Sequence, residues 1–235
     1  MQRLCAADIE DHEEILFMTT SEERMAKAAK KLEEERQRLD MMKEYERKYA
    51  GYTYICGIDE AGRGPFAGPV VAGAVILDPQ KEILYLNDSK KLSEKKREAL
   101  YDEIMEKAVA VGVGIVDNHM IDKINILQAT YMAMREAISK LKVKPDVILA
   151  DAVHIPGIDI MQEGIIKGDA KSVSIAAGSI IAKVTRDRIC YEYDKLYPEY
   201  GFASHKGYGT AAHIEAIRKY GPLDIHRRTF IHKYI

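Results

Sequence analysis

The chain has 235 residues, 47% of them hydrophobic, and a formal net charge of −2 at neutral pH. That is enough for one good-sized domain with an appendage, and so small a charge speaks against a protein that coats nucleic acid through bulk electrostatics. The three cysteines, Cys5, Cys56 and Cys190, form no C-x-x-C pair, which leaves neither a disulfide framework nor a zinc site.

The first twenty residues hold Asp8, Glu10, Asp11, Glu13 and Glu14 and no apolar run of signal-peptide length. The longest apolar run, Val70 to Leu77, is far short of the ~20 residues that cross a bilayer. A soluble cytoplasmic protein with no membrane partner is expected. Residues 1–50 carry 10 Lys and Arg against 13 Asp and Glu, whereas residues 170–235 carry 11 against 6 together with four of the seven histidines. A polyanionic partner should therefore touch the C-terminal third.

From Thr20 the chain predicts a long helix, opened by a Thr20-x-x-Glu23 capping box and rich in Ala, Glu, Lys, Arg and Met. Met25, Ala28, Leu32, Leu39, Met42 and Tyr49 share one seven-residue seam, interrupted by Glu35. Such a seam docks either on the body of the protein or on a helical partner protein. The composition changes at Gly51, so residues 1–50 are expected as a helical N-terminal extension and residues 51–235 as the main domain.

Strands are predicted at Thr53–Ile58, Val70–Leu77, Val109–Val116 and Val147–Ala150, the last running into Asp151. Helices are predicted over Met120–Leu141 and Ser172–Leu196, with a shorter one capped by Thr210 and stopped at Gly221-Pro222. Early strands, a helix, a buried strand and then mainly helices make an α/β domain, a mixed sheet flanked by helices.

Within it, "GIDEAGRGPFAG" (residues 57–68) matches the loose dinucleotide fingerprint G-x-G-x-x-G/A. A dinucleotide loop needs a helix to begin at its glycines. Pro65 and Pro69 are followed instead by a strand-like run, and Asp59 and Glu60 would repel a pyrophosphate. Carboxylates at strand ends attract Mg²⁺ or Mn²⁺. Asp59 and Asp151 close two predicted strands, and Asp169 precedes a long helix. Asp59, Glu60, Asp151 and Asp169 are either one metal cluster or independent surface acids. Asp146 and Asp159 are rivals with a less clear setting, and Asp187 reads as a helix-surface partner of Arg186 or Arg188.

Six motifs in order, "GIDEAGRGPFAGPVVAGAV", "NDSKKLS", "INILQAT", "LADAV", "KGDAKSVSIAAGSIIAKVTRDR" and "HKGYGT", closely resemble the bacterial ribonuclease HII family, the type 2 ribonucleases H. The likeness runs from about Tyr54 to Tyr220. It implies a ribonuclease H-like fold and endonucleolytic cleavage of RNA in RNA-DNA hybrids, including single ribonucleotides embedded in duplex DNA, on the 5′ side. By matching motifs Asp59, Glu60, Asp151 and Asp169 would be the active-site acids. Two divalent ions, Mn²⁺ or Mg²⁺, suit such a cradle.

The same resemblance implies that Gly62-Arg63-Gly64 reads the ribonucleotide and that Tyr208 packs on the neighbouring deoxyribose; on its own Tyr208 would pass for a core or turn tyrosine. Lys90, Lys91, Lys183, Arg186 and Lys206 could hold phosphates or could simply be solvated. The related type 3 enzymes lack the Gly-Arg-Gly tripeptide, and a monomer of the type 2 kind is expected. Other function classes are a binding module without chemistry and a helical interaction protein acting through residues 20–49. The tail "HRRTFIHKYI" could be a basic arm or a docked segment.

Overall fold

The computed structural model describes the backbone from Ala6 and the side chains from Glu23. In chain order the elements are α1 (Ala6–Met41), α2 (Glu44–Lys48), β1 (Ile55–Ala61), β2 (Val70–Ile76), α3 (Glu94–Lys107), β3 (Ala110–Val116), α4 (Asn118–Ile124), α5 (Ile126–Ser139), β4 (Val147–Asp151), β5 (Met161–Ile165), α6 (Val173–Leu196), α7 (Phe202–His205), α8 (Ala211–Tyr220) and α9 (Arg228–Ile231). Short 3-10 turns lie at Ser89–Lys91, Gly168–Ala170 and Pro198–Tyr200. No described helix is long and apolar enough to cross a membrane. Cys56 and Cys190 are buried free thiols, and Cys5 lies outside the described residues.

The five strands form one mixed sheet in the order β3-β2-β1-β4-β5. β1 pairs antiparallel with β2 and parallel with β4, and β4 pairs parallel with β5. Strand alternation sends Cys56, Ile58, Ala72 and Ala74 to one face, where they pack with Ala133, Met134 and Ala137 of α5. The other face receives α6. Close approach there depends on bare backbone: a Cβ on Gly73 would sit 2.5 Å from the Gly178 carbonyl oxygen of α6. The buried face of α6 is made of small and β-branched residues, Ala176, Ala177, Ile180, Ile181 and Val184, so the helix lies flat on the sheet.

Several boundaries differ from the sequence expectation. α1 begins at Ala6, ahead of Thr20, because nothing from Ala6 to Met41 is a Gly or Pro that would stop a helix. It ends at Met41, so the seam through Tyr49 is not one continuous helix, and Met25 on that seam is 70% exposed.

A compact unit begins at Met42 and runs to Ile235, the preceding unit ending at Met41. Residues Met42–Tyr49 are tied into the larger unit: the Val173 amide donates to the Met42 carbonyl, and Glu46 accepts from the Ser172 hydroxyl at 2.6 Å and the Ser174 amide at 3.0 Å.

The helix expected over Met120–Leu141 is two helices. Asn125 breaks it at φ +67° while its side chain accepts from the Leu127 and Gln128 amides to cap α5. α3 and β5 were not expected. α3 buries only Leu100 and Ile104, and β5 lacks a clean alternation because it is an edge strand.

Candidate active site

The parallel register places Ile58 beside Ala150, so the next residues come side by side: Asp151 ends β4, whereas Asp59, expected to close its strand, lies within β1 and pairs with Gly73 because β1 runs on to Ala61 along β2. Asp169 comes from the 3-10 turn that leads into α6, on a backbone that first turns through the left-handed Lys167. That turn is tied to β4 by the Gly168 amide, which donates to Asp151 Oδ1 at 2.7 Å. Carboxylate oxygens of Asp59, Asp151 and Asp169 all lie within 4.8 Å of one another.

Glu60, the fourth acid, is not part of that close group. Its Oε1 accepts from Arg63 Nη1 at 3.2 Å, while its Oε2 is buried with no hydrogen-bond partner. Asp146, one of the rivals, instead accepts the Thr53 and Tyr54 amides at the start of β1, and Asp159 is exposed away from the group.

These acids are held where negative charge is disfavoured. Burial, then the neighbouring Glu60 and Asp151 charges, pushes the Asp59 carboxyl well above its usual range, although the Glu60 amide donates to its Oδ1 at 2.7 Å. Burial also raises Glu60 and Asp169; for Asp169 repulsion from Asp88 and Asp151 adds to it. Asp88, which the sequence reading did not single out, caps the Ser89–Lys91 turn and comes within hydrogen-bonding reach of Asp169. Lys90 is the cation that faces the group: burial pulls its pKa down, but the Asp88, Asp59, Asp169 and Asp151 carboxylates outweigh this and raise it.

Buried carboxylates that repel one another, an orphaned Glu60 oxygen and a donor set made only of hard oxygens fit Mg²⁺ or Mn²⁺. A bound cation would supply the charge that the fold leaves unbalanced.

Beside the acids, Gly62 turns at φ +95°, and a Cβ there would lie 2.1 Å from Arg186 Nε, so the tight turn requires glycine. A Cβ on Gly64 would lie 3.5 Å from the Tyr208 ring, so the loop tip and this tyrosine face each other. Tyr208 is 47% exposed and lies in none of the core clusters among the described residues, which favours the surface role over the core reading.

The basic residues divide. Arg186, expected on a phosphate, is 1% exposed; its guanidinium donates to the carbonyls of Pro69, Ala67 and Lys206 at 3.2, 3.2 and 2.9 Å, so it braces the loop instead. Asp187 is buried rather than on the helix surface, pairing with Lys183 at 2.6 Å and Arg97 at 3.8 Å, while Arg188 turns to Glu98. Lys183 is thereby engaged within the protein, and the Lys206 ammonium bonds the Tyr191 hydroxyl at 2.8 Å and lies over its ring. Lys90 and Lys91 remain exposed.

The C-terminal tail is docked. Arg227 and Ile231 are fully buried, and Arg227 donates to the carbonyls of Gly62, Arg63, Gly68 and Pro69 at 2.6, 2.9, 3.0 and 3.1 Å. Sequence reasoning saw the basic run but had no signal for its burial, since buried arginine is rare.

Comparison with known proteins agrees with this geometry. The family model described as Ribonuclease HII matches residues 56–233. A ribonuclease HII of Lachnoclostridium phytofermentans is 64% identical over 201 residues, covering 86% of this chain and 79% of that protein. One from Clostridioides difficile is 57% identical over 210 residues, covering 88% and 82%.

Among solved structures, the ribonuclease H2 of Pyrococcus horikoshii superposes with a TM-score of 0.65 at 29% identity, covering 77% of this chain and 97% of that one. The ribonuclease HII solved in complex with PCNA from Archaeoglobus fulgidus does so with a TM-score of 0.62 at 26% identity, covering 77% and 94%. The sheet and its helices are thus the ribonuclease H-like fold. An aspartate cluster on that fold and a family match across nearly the whole compact unit lead to one assignment: the chain belongs to the ribonuclease HII family and is a metal-dependent endonuclease of ribonuclease H type 2.

Proposed function

We propose that this enzyme hydrolyses the RNA strand of RNA-DNA hybrids and cuts on the 5′ side of single ribonucleotides embedded in duplex DNA, leaving 3′-hydroxyl and 5′-phosphate ends. The observation that carries the proposal is the convergence of Asp59, Asp151 and Asp169 within 4.8 Å, next to a glycine loop that faces an exposed tyrosine. Asp59, Asp151 and Asp169 would hold two divalent ions, Mg²⁺ or Mn²⁺, and the free Glu60 oxygen would complete the set. Such ions, when bound, lower the pKa of an attacking water and neutralise charge on the departing oxygen.

The chain's own residues supply position and selectivity. Lys90, facing the acids, balances part of their charge and would reduce their repulsion of a phosphate brought to the bound ions. Arg63, joined to Glu60, couples the Gly62-Arg63-Gly64 loop to the carboxylates. A 2′-hydroxyl is both donor and acceptor, and loop backbone without side-chain bulk is suited to recognising it. Tyr208 offers an exposed ring to the next sugar. The protein is proposed to act as a cytoplasmic monomer, with residues 51–235 as the catalytic part and the N-terminal helix as a separate surface for a protein partner.

The direct test is an end-labelled DNA duplex containing one ribonucleotide, beside an all-DNA duplex, with Mg²⁺, with Mn²⁺ and with chelator. Metal-dependent cutting 5′ of the ribonucleotide, abolished in Asp151→Asn, is expected. Binding without cutting under either metal would end the proposal for this substrate, and cutting only in longer RNA stretches would move the enzyme toward other ribonuclease H types. Removal of the helix that ends at Met41 should leave cutting intact.

A further inference from the structure

Two adjacent residues of the docked C-terminal segment, His226 and Arg227, hold the two parts of the proposed ribonucleotide reader. His226 forms a bridge with Ala67, the Arg227 amide donates to the Phe66 carbonyl at 2.7 Å, and the Gly68 amide donates to the Ile225 carbonyl at 2.9 Å. The segment thus pairs with the loop through a single isolated antiparallel bridge and its flanking hydrogen bonds.

Every hydrogen bond of the Arg227 guanidinium goes to carbonyls of that loop. In a trans peptide the C=O and the following N–H point in opposite directions, and every described peptide bond is trans. Drawing the Gly62 and Arg63 carbonyls toward Arg227 therefore turns the Arg63 and Gly64 amide hydrogens away from it.

His226 acts on the other part. His226 Nδ1 lies 2.9 Å from the Leu223 amide, which can only donate to it, and 3.3 Å from the Leu223 carbonyl; the shorter contact puts the proton of a neutral imidazole on Nε2. That Nε2 lies 3.0 Å from His213 Nε2, which must then accept, so the His213 proton sits on Nδ1 and is donated to the Tyr208 carbonyl at 2.9 Å. One chain of fixed polarity runs from the C-terminal segment to Tyr208.

We propose that His226 and Arg227 together are positioning residues for ribonucleotide recognition: Arg227 aims the Arg63 and Gly64 amides, His226 through His213 sets Tyr208, and their adjacency fixes the spacing between the two. The inference rests on the Gly62-Arg63-Gly64 loop and Tyr208 reading the ribonucleotide.

The test measures, in chelator so that nothing is cut, the affinity for a duplex with one ribonucleotide relative to its all-DNA counterpart. Arg227→Lys keeps the charge and loses the planar fork. His226→Phe keeps ring volume among the neighbouring Tyr200 and Phe202 rings. Each should lower the affinity ratio about fivefold or more while all-DNA affinity stays within about twofold, and the double variant should fall short of the product of the two because both act on one bracket.

An unchanged ratio in variants with cooperative melts overturns the proposal. Should neither variant fold, backbone amide signals of the wild-type protein decide: Arg63 and Gly64 should shift with the ribonucleotide duplex and not with all-DNA, and a shift with neither overturns it. A wild type that cuts at ribonucleotides yet shows an affinity ratio near one also overturns it, whereas a wild type that does not cut at all is the separate failure of the proposed function.

Discussion

Asp59 is 5% exposed, and its carboxyl is pushed upward first by burial and then by its acidic neighbours. In the metal-free protein its charge therefore works against folding. Asp59→Asn should raise the melting temperature in chelator, by about 2–4 °C for each kcal/mol relieved, while abolishing metal-dependent cutting. The Asn Oδ1 can still accept the Glu60 amide, so the strand end is kept. A lower melting temperature in chelator would show that the carboxylate is held by bonds stronger than its repulsions.

Tyr208 presents the converse case. It is exposed, so Tyr208→Ala should change stability by less than about 1 kcal/mol, yet slow cutting at a single ribonucleotide about tenfold or more, equivalent to about 1.4 kcal/mol of transition-state stabilisation. Steady-state cleavage beside a thermal melt checks both halves, and unchanged junction cleavage would remove its role.

Elements show the same division between what pattern reveals and what it hides. Asn125 sits at φ +67° and caps α5 through two amides. Asn125→Ala loses the cap and meets backbone strain, so it should cost about 2 kcal/mol in denaturant unfolding; Asn125→Gly, which tolerates the turn, should cost less. Equal losses would mean that the cap alone matters. In the sequence this asparagine was invisible as a boundary, because the apolar spacing continues through it and its side chain also fits a helix surface.

The strands β1, β2, β3 and β4 were legible because buried strands show as apolar runs between turn residues. The edge strand β5 was not: its side chains are half in water, and its place comes from parallel pairing with β4 rather than from its own pattern. Asp151 was legible as a strand-end acid and Asp169 as a turn acid, whereas Asp59 lies within β1 because pairing with β2 carries that strand on to Ala61; the meeting of Asp59 and Asp151 follows from the β1–β4 register. Arg186 misled, since a basic residue in a helix ordinarily faces solvent. Nothing in one sequence shows that two of its three carbonyl partners, Pro69 and Ala67, lie more than a hundred residues away.

At the scale of the whole molecule, two buried sets of titratable groups oppose each other in acid. His213 and His226 are pulled from 6.5 down to about 4, chiefly by burial; repulsion from His213 and then from Arg228 and His205 adds to it at His226, and repulsion from His205 adds to it at His213. The unfolded chain therefore binds protons between these values that the folded protein refuses, and stability is lost as pH falls from about 6.5 toward 4. The drop corresponds to on the order of 2–3 kcal/mol for a proton on the pair. The raised Asp59, Glu60 and Asp169 act in the other direction, since folding favours their neutral forms and their repulsion is relieved as pH falls through their elevated folded values.

In chelator the wild-type protein should thus lose less stability as pH falls from about 6.5 toward 4 than the two histidines alone would impose, because relief of the carboxylates offsets part of the loss. His226→Phe removes one of the two depressed histidines and leaves His213, so less stability should be lost as pH falls through this range than in the wild type. Adding Mg²⁺ or Mn²⁺ at neutral pH should raise stability by mass action, about 2.7 kcal/mol at a hundredfold excess over Kd, and steepen the acid loss as protons displace the ion. Denaturant titrations across pH, with and without metal, read all three slopes. A His226→Phe protein with the same acid dependence as wild type would show that His226 is not a source of the acid sensitivity.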